Sequence, residues 1–357
     1  MDRFIQIHCL THYPPSNPNR DDLGRPKTAV VGGVQRQRIS SQSLKRALRT
    51  SEEFQTALAG QLGERTQRLG DAIYDHLKNK IDEDKAKNIS RLVAGLFGKI
   101  KGEKDKAPLQ TEQLAFVSPD EKSAAFALAD ELLKSEKLPT EDELKKQNVP
   151  VLLTADGAVD IAMFGRMLAA SPAFNREAAV QIAHAITTNK VDVEDDYYTA
   201  VDDLKSDATD AGAGFVGEAG YGSGVYYIYA CVNVDLLIGN LAGDKPLARR
   251  AAKALVKALS SATPSGKVNS FAHHVRPEFI LVERGNGQPV NLFSAFAKPI
   301  KGSNIMVDSI TALKQKRADF SRVYGGPESA GKELNVTADT SATLDELALF
   351  AMDAIEE

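Results

Sequence analysis

The chain has 357 residues, with 44 basic against 48 acidic residues, a net charge of −4 and 43% hydrophobic residues. That length corresponds to roughly two domains of about 150 residues, enough to bury a core without staples. The balance excludes a histone-like basic binder and an acidic disordered tail protein, but a total hides how charge is distributed along the chain.

In chain order, RFIQIHCL at 3–10 alternates at period two and predicts a strand. THYPPSNPNRDDLGRPK at 11–27, with four prolines, predicts a long loop of the kind that carries function. After Gly32-Gly33 comes VQRQRI, then a helix capped by Ser40 or Ser41 with Leu44, Ala47 and Leu48 as its apolar stripe. Residues 51–188 read as a helical insertion with almost no strand signal, including a short helix at 160–170 and a longer one near 176–187. The acidic run 189–211 and the glycine-rich GAGFVGEAGYGSG at 212–224 read together as a projecting arm with a glycine hinge. Strand pattern returns at 225–234 and 277–284, with helices at about 246–261 and in the final TLDELALFAMDAI. Strands split by helices predict an α+β fold: a ferredoxin-like βαββαβ domain carrying insertions.

Several motifs carry no chemistry. GAGFVG at 212–217 matches G-x-G-x-x-G, but it lacks the preceding strand and following helix that a dinucleotide site needs. His8 alternates with apolar neighbours and reads as a core or edge histidine, and adjacent His273 and His274 would point to opposite faces. Cys9 and Cys231, inside apolar strand-like runs, are expected to be buried free thiols. Asp21 and Asp22 could hold a divalent cation; the favoured reading is a turn pair beside Arg20 and Arg25. No metal and no cofactor are therefore expected. With no signal-like N-terminus and no apolar run of about 18 residues, no membrane segment and a cytoplasmic location are expected.

The charge map is more telling. Residues 20–49 carry +6, 245–284 carry +6 and 298–332 carry +4, against −6 for 189–211 and −7 for 333–357. The acidic blocks are expected to meet a neighbour's basic surface or to keep the free chain soluble. Within RISSQSLKRALR at 38–49, Ser40, Ser41, Gln42 and Ser43 stand at a helix start, where free N–H groups and the dipole attract phosphate. Arg38, Lys45, Arg46 and Arg49 add charge, with 45 and 49 on one face. No aromatic interleaves this stretch, whereas the arm offers Phe215, Val216 and Tyr221, suited either to wedging between bases or to docking on protein.

These segments resemble the CasC family, the repeated backbone subunit of the type I-E CRISPR surveillance complex, Cascade. FIQIHCLTHYPPSNPNRDDLGRPKTAVVGG, QRQRISSQSLKRALR, DIAMFGRML, DYYTAVDDL, GAG at 212–214 and SGVYYIYACVN occur in the family's order. The resemblance implies an RRM-like palm (1–50 and 225–357), helical fingers (51–188) and a thumb arm (189–224). It implies copies stacked along CRISPR RNA, each thumb kinking the RNA so that guide bases are displayed to target DNA, with other Cascade subunits as partners. Carried onto matching positions, Arg20, Lys27, Ser40, Gln42, Lys45 and Arg49 would hold the RNA backbone, with Lys298 and Lys301 beside them. Met167 and the thumb residues Phe215 and Val216 would wedge at the kink. The expected subunit is not an enzyme. The rival is a metal-dependent ribonuclease, because related type III backbone subunits cut RNA with a loop aspartate, here Asp21 or Asp22.

Overall fold

The computed structural model describes residues 4–146, 151–200, 215–324, 330–338 and 341–356, and the chain forms two compact units. One spans Met1–Phe54, Ile182–Cys231 and Ala252–Ala354; the other spans Gln55–Gln181, Val232–Ala251 and Ile355–Glu357. In chain order the elements begin with β1 (Phe4–Ser16), β2 (Thr28–Val31), β3 (Val34–Ile39), α1 (Ser41–Arg49) and α2 (Glu52–Ala57). There follow β4 (Glu64–Thr66), α3 (Leu69–Leu77), α4 (Glu83–Gly95), β5 (Ala115–Val117), α5 (Pro119–Leu133), α6 (Glu141–Lys146) and α7 (Val159–Phe164). Next are β6 (Val180–Ile182), β7 (Ala185–Thr187), β8 (Glu194–Ala200), β9 (Phe215–Asn233), α8 (Val234–Asn240), α9 (Lys245–Leu259) and α10 (Val268–Phe271). The last are β10 (Phe279–Gly285), α11 (Ile305–Tyr324), β11 (Ala330–Asn335) and α12 (Leu344–Met352).

The first unit is built on an antiparallel sheet ordered β11-β10-β1-β9-β7-β3-β2. Its central strands are apolar because both faces are covered: Ile5, Ile7, Cys9 and Leu10 of β1 and Phe279 to Val282 of β10 are all buried. One cluster gathers Leu10, Tyr227, Phe279, Leu281, Phe296 and Leu313. Cys9 and Cys231 are buried free thiols, as expected, and burial pushes the Cys9 thiol up to about 12.

His8 is fully buried, with Nδ1 2.8 Å from the Tyr227 hydroxyl and Nε2 3.2 Å from Glu283. Arg317 Nε donates to the other Glu283 oxygen at 2.6 Å. Burial alone would raise the Glu283 carboxyl, but His8 and Arg317 together bring it down to about 2. A depressed carboxylate stabilises the fold above its unfolded value of about 4.3 and loses that contribution as pH falls towards its folded value. Glu283→Gln is therefore expected to lower stability at pH 7 by about 3 kcal/mol and to flatten the acid-unfolding curve between pH ~4.5 and ~2, read by chemical denaturation across pH.

The second unit is mostly helical, with a core of Ile73, Leu77, Ile89, Val93, Leu128, Leu132 and Leu168. A capping box at Ser118 and Glu121 starts α5. Two buried ion pairs brace this unit: Arg166 with Glu121, and Arg176 with Asp156 at 2.7 Å.

The structure corrects several expectations. The loop predicted to begin at 11 begins after Ser16, because β1 continues. β10 pairs with β1 only as far as Leu10, so Pro14 and Pro15 need supply no donor on that side. Gly32 and Gly33, at φ +63° and +77°, form the tight turn of a β2–β3 hairpin, which only residues tolerant of positive φ allow. The helix predicted near 176–187 is instead β6 and β7; Val180-Gln181-Ile182 alternates buried and exposed, so period two wins over the alanine-rich composition. The insertion also contains the β4–β5 pair. The helix at 160–170 stops at Phe164, where Gly165 turns to φ +79°. The glycine stretch is not a hinge over its described part: Phe215–Gly224 is continuous with β9, and residues 201–214 lie outside the described ones. Among the described residues no helix is long and apolar enough to cross a membrane.

Candidate nucleic-acid interface

The loop after β1 is a set of short hydrogen bonds. Lys27 N–H donates to Asn19 C=O (2.8 Å), and the Asn19 side chain accepts from Ser40 N–H (2.8 Å), joining the loop to the start of α1. Asn17 Nδ2 donates to Gly24 C=O and to Gly220 C=O on β9. Asp21 Oδ1 accepts from Leu23 N–H (3.0 Å) and Arg25 N–H (2.9 Å), the work of a turn residue. Asp22 is exposed. Among the described residues no group of three or more His, Cys, Asp or Glu side chains is placed to hold a metal ion.

Helix α1 starts where the hydroxyl pattern puts it: Ser40 is the N-cap and accepts from Ser43 N–H at 3.3 Å. Leu44 and Leu48 are buried, leaving Gln42 and Arg46 exposed, and no acid sits in the first turn to neutralise the dipole. Burial lowers the Lys45 ammonium from its ordinary value, so this cation is partly desolvated. Arg20 and Arg46 line a groove of about 680 Å³ with Ser43, Thr50 and the 261–266 loop; Asp21, Glu52 and Glu53 also reach it.

A second basic cluster lies on β2 and β3. Arg38 N–H donates to Lys27 C=O at 2.7 Å, and the Arg38 guanidinium lies 3.0 Å from His184 Nδ1. Arg36 is fully buried and ties the sheet to the 296–301 segment, donating to Thr187, Thr188 and Phe296 C=O. The segment that carries Lys298 is pressed against the hairpin, for a Cβ on Gly32 would sit 2.0 Å from Ala297 O. Ile300 N–H donates to Thr188 C=O, leaving Lys298 and Lys301 exposed on either side. Among the described residues, Arg20, Lys27, Arg38, Lys45, Arg46, Lys298 and Lys301 have no carboxylate partner, whereas Arg25, Lys257, Lys314 and Arg317 each do.

The arm is an antiparallel pair, β8 on β9, in register from Glu194↔Tyr221 to Ala200↔Phe215. Arg25 pairs with Asp195 at 2.9 Å, fixing the arm's base to the loop. Phe215 is 57% and Val216 51% exposed, with Tyr197 at 68%. Tyr198 lies across Gly217, where a Cβ would come within 2.4 Å of its ring, and its centroid is 6.2 Å from Phe215. The arm thus exposes apolar side chains on both faces: Phe215 with Tyr198 on one, Val216 with Tyr197 on the other.

Met167 belongs to the second unit and is 77% exposed. Arg166 and Arg176 exchange two backbone hydrogen bonds at 2.9 Å, and Leu168 N–H donates to Asn175 Oδ1, so Met167 stands on a braced loop beside exposed Leu114.

The structure therefore gathers Arg20, Lys27, Arg38, Ser40, Gln42, Lys45, Arg46, Arg49, Lys298, Lys301, Phe215 and Val216 in one unit and puts Met167 in the other. Sequence reasoning passed over Asn19, whose side chain joins loop to helix, and His184, hidden in a stretch read as helix.

The protein family described as CT1975-like protein matches residues 5–357. A chain of a solved structure described as "CRISPR RNA-guided surveillance complex, pre-nicking" is 31% identical over 98% of this chain and 100% of that chain, with a TM-score of 0.85. A chain from a "CRISPR RNA-guided surveillance complex" is 27% identical over 98% and 99%, with a TM-score of 0.74. No curated protein sequence matches.

Proposed function

We propose, on the premise that the chain belongs to the CT1975-like protein family, that it is the repeated CRISPR-RNA-holding backbone subunit of a type I-E surveillance complex. The observation that carries this reading is that Arg20, Lys27, Lys45 and Arg46, near the serine-capped start of α1, have no carboxylate partner among the described residues. Such groups recognise phosphate oxygens and carry no base code, as a subunit that accepts any spacer requires. Arg20, Lys27, Arg38, Lys45, Arg46, Arg49, Lys298 and Lys301, with Ser40 and Gln42, hold the sugar-phosphate backbone. Copies of the chain assemble along the RNA beside other Cascade subunits, and the assembly meets target DNA. The palm is RRM-like: through β1, α1, β7, β9, α9 and β10, the strand order β10-β1-β9-β7 supports the βαββαβ arrangement. The second unit corresponds to the fingers and the β8–β9 arm to the thumb.

Binding measured with unrelated spacer sequences tests this reading. Affinities within about twofold of one another are expected; a strong dependence on spacer sequence would contradict it.

In this reading Phe215 and Val216 of the arm wedge between bases and unstack the RNA, and Met167 is a separate wedge residue. Phe215→Ala with Val216→Ala is expected to leave thermal unfolding within about 0.5 kcal/mol, because both side chains are exposed. The same change should abolish the bright 2-aminopurine fluorescence of a base at the kink; undiminished fluorescence would remove these residues from the wedge.

The subunit is non-catalytic in this proposal, and the commitment of Asp21 Oδ1 to two backbone amides supports it. Magnesium-dependent RNA cleavage by the assembled complex, lost in Asp21→Ala or Asp22→Ala, would overturn that part.

A further inference from the structure

The register Arg38↔Ile186 and Ile39↔Ala185 makes Arg38 and His184 diagonal neighbours on one face of the sheet, a spacing that long side chains span. Arg38 Nη1 lies 3.0 Å from His184 Nδ1. A guanidinium can only donate, so Nδ1 is the acceptor and the ring proton sits on Nε2. His184 is exposed, in the two-residue break between β6 and β7, and among the described residues no partner takes its Nε2–H.

We propose that His184 is a positioning residue for the RNA backbone: its Nδ1 holds the Arg38 guanidinium while the site is empty, and its Nε2–H donates to the phosphate that Lys27 and Arg38 attract. This rests on the backbone-subunit reading and assigns one more residue to the same site.

The electrostatics give the contact a direction. The charged groups acting on the imidazole are both cations, Arg38 on β3 and Lys27 just before β2; burial, then these two charges, hold the ring below its ordinary pKa. An arriving phosphate screens both cations and favours the imidazolium. A proton then occupies Nδ1, which can no longer accept from Arg38. Arg38 is released to the phosphate, and the doubly protonated ring donates as well. RNA binding thus takes up a fraction of a proton at His184, and by linkage affinity rises as pH falls.

The test compares the full-length wild type with His184→Gln and His184→Ala, binding one labelled single-stranded RNA at constant ionic strength from pH 7.5 to 5.5. Glutamine keeps an acceptor for Arg38 and a donor for phosphate but does not titrate. His184 is exposed, so neither substitution empties the core. The expected result is wild-type affinity rising by about tenfold more than that of His184→Gln over this range, the effect of a one-unit shift. At pH 7.5 His184→Gln should stay within about twofold of wild type, with His184→Ala weaker than both. Parallel pH curves for wild type and His184→Gln would overturn the inference while leaving RNA holding intact. A wild type that binds RNA at no pH would overturn the backbone-subunit reading and this assignment with it.

Discussion

Replacing Arg20, Lys27, Lys45 and Lys298 together by alanine is expected to weaken single-stranded RNA binding about two-hundredfold at 0.15 M salt, with the difference vanishing towards 1 M. Each phosphate contact on a single strand releases about 0.7 of a counterion, so four lost contacts lower the slope of log K against log salt by about three. The loss should be the same for unrelated spacers, since no base edge is involved. These four are chosen because among the described residues none spends its charge on a carboxylate, and three lie on segments pinned by the backbone: Arg20 bridges to Pro26, Lys27 bonds to Asn19, and Lys298 sits on the stretch pressed against Gly32. Removing them should cost little stability, because the pinning is done by Asn19, Arg36 and main-chain groups. An unchanged salt slope would show that RNA does not run over this surface.

Arg166→Ala is expected to destabilise the second unit by about 3–5 kcal/mol, because it strands the Glu121 carboxylate in the core. Both side chains are fully buried, and the guanidinium also donates to Phe116, Leu153 and Phe174 C=O. For a unit of this size that is a fall of about 10 °C in its thermal transition, read by calorimetry. Arg166→Met with Glu121→Leu should recover only part of the loss: Glu121 also accepts from Ser118 N–H and Leu153 N–H, and those amides would be left unpaired. The same change should blur Met167, whose loop is held by the Arg166–Arg176 backbone pair. A Tm within 2 °C of wild type would show that this pair is replaced by water or by repacking.

Elements with local signals were legible in the sequence. Ser40 announced α1, the β-branched run 225–234 announced a central strand, and the alternation at 3–10 announced β1. Elements stabilised from elsewhere were not. β7 is only three residues long and exists because β3 and β9 bond to its two edges, so the alanines at 178, 179, 183 and 185 misled. The glycines of β9 serve close approach rather than flexibility: a Cβ on Gly220 would meet Pro26 at 3.0 Å, and one on Gly222 would meet Gln37 and Val191 at 2.9 Å. The basic block at 20–49 was visible as charge, but its geometry depends on Asn19, a single residue with no pattern around it.

The net charge of −4 also has a more specific reading. Part of the acidic tail is matched within its own unit: Asp345 pairs with Lys257, and Glu346 with Lys332. Asp195 on the arm pairs with Arg25. These contacts are partly exposed and worth below about 1 kcal/mol each, so they arrange charge more than they stabilise. They occupy Arg25, Lys257 and Lys332, whereas among the described residues Arg20, Lys27, Lys45 and Arg46 have no carboxylate partner. Asp195→Lys is therefore expected to leave the fold intact and to shift the arm's base, changing RNA binding at low salt more than at high salt.

The central claim is that this chain holds CRISPR RNA, and the direct measurement is purification without nuclease treatment from cells that carry a CRISPR array, followed by sequencing of the bound RNA. The prediction is repeat-spacer RNA with many different spacers and no shared sequence within them. A chain that purifies free of RNA, or with RNA unrelated to the array, would contradict it.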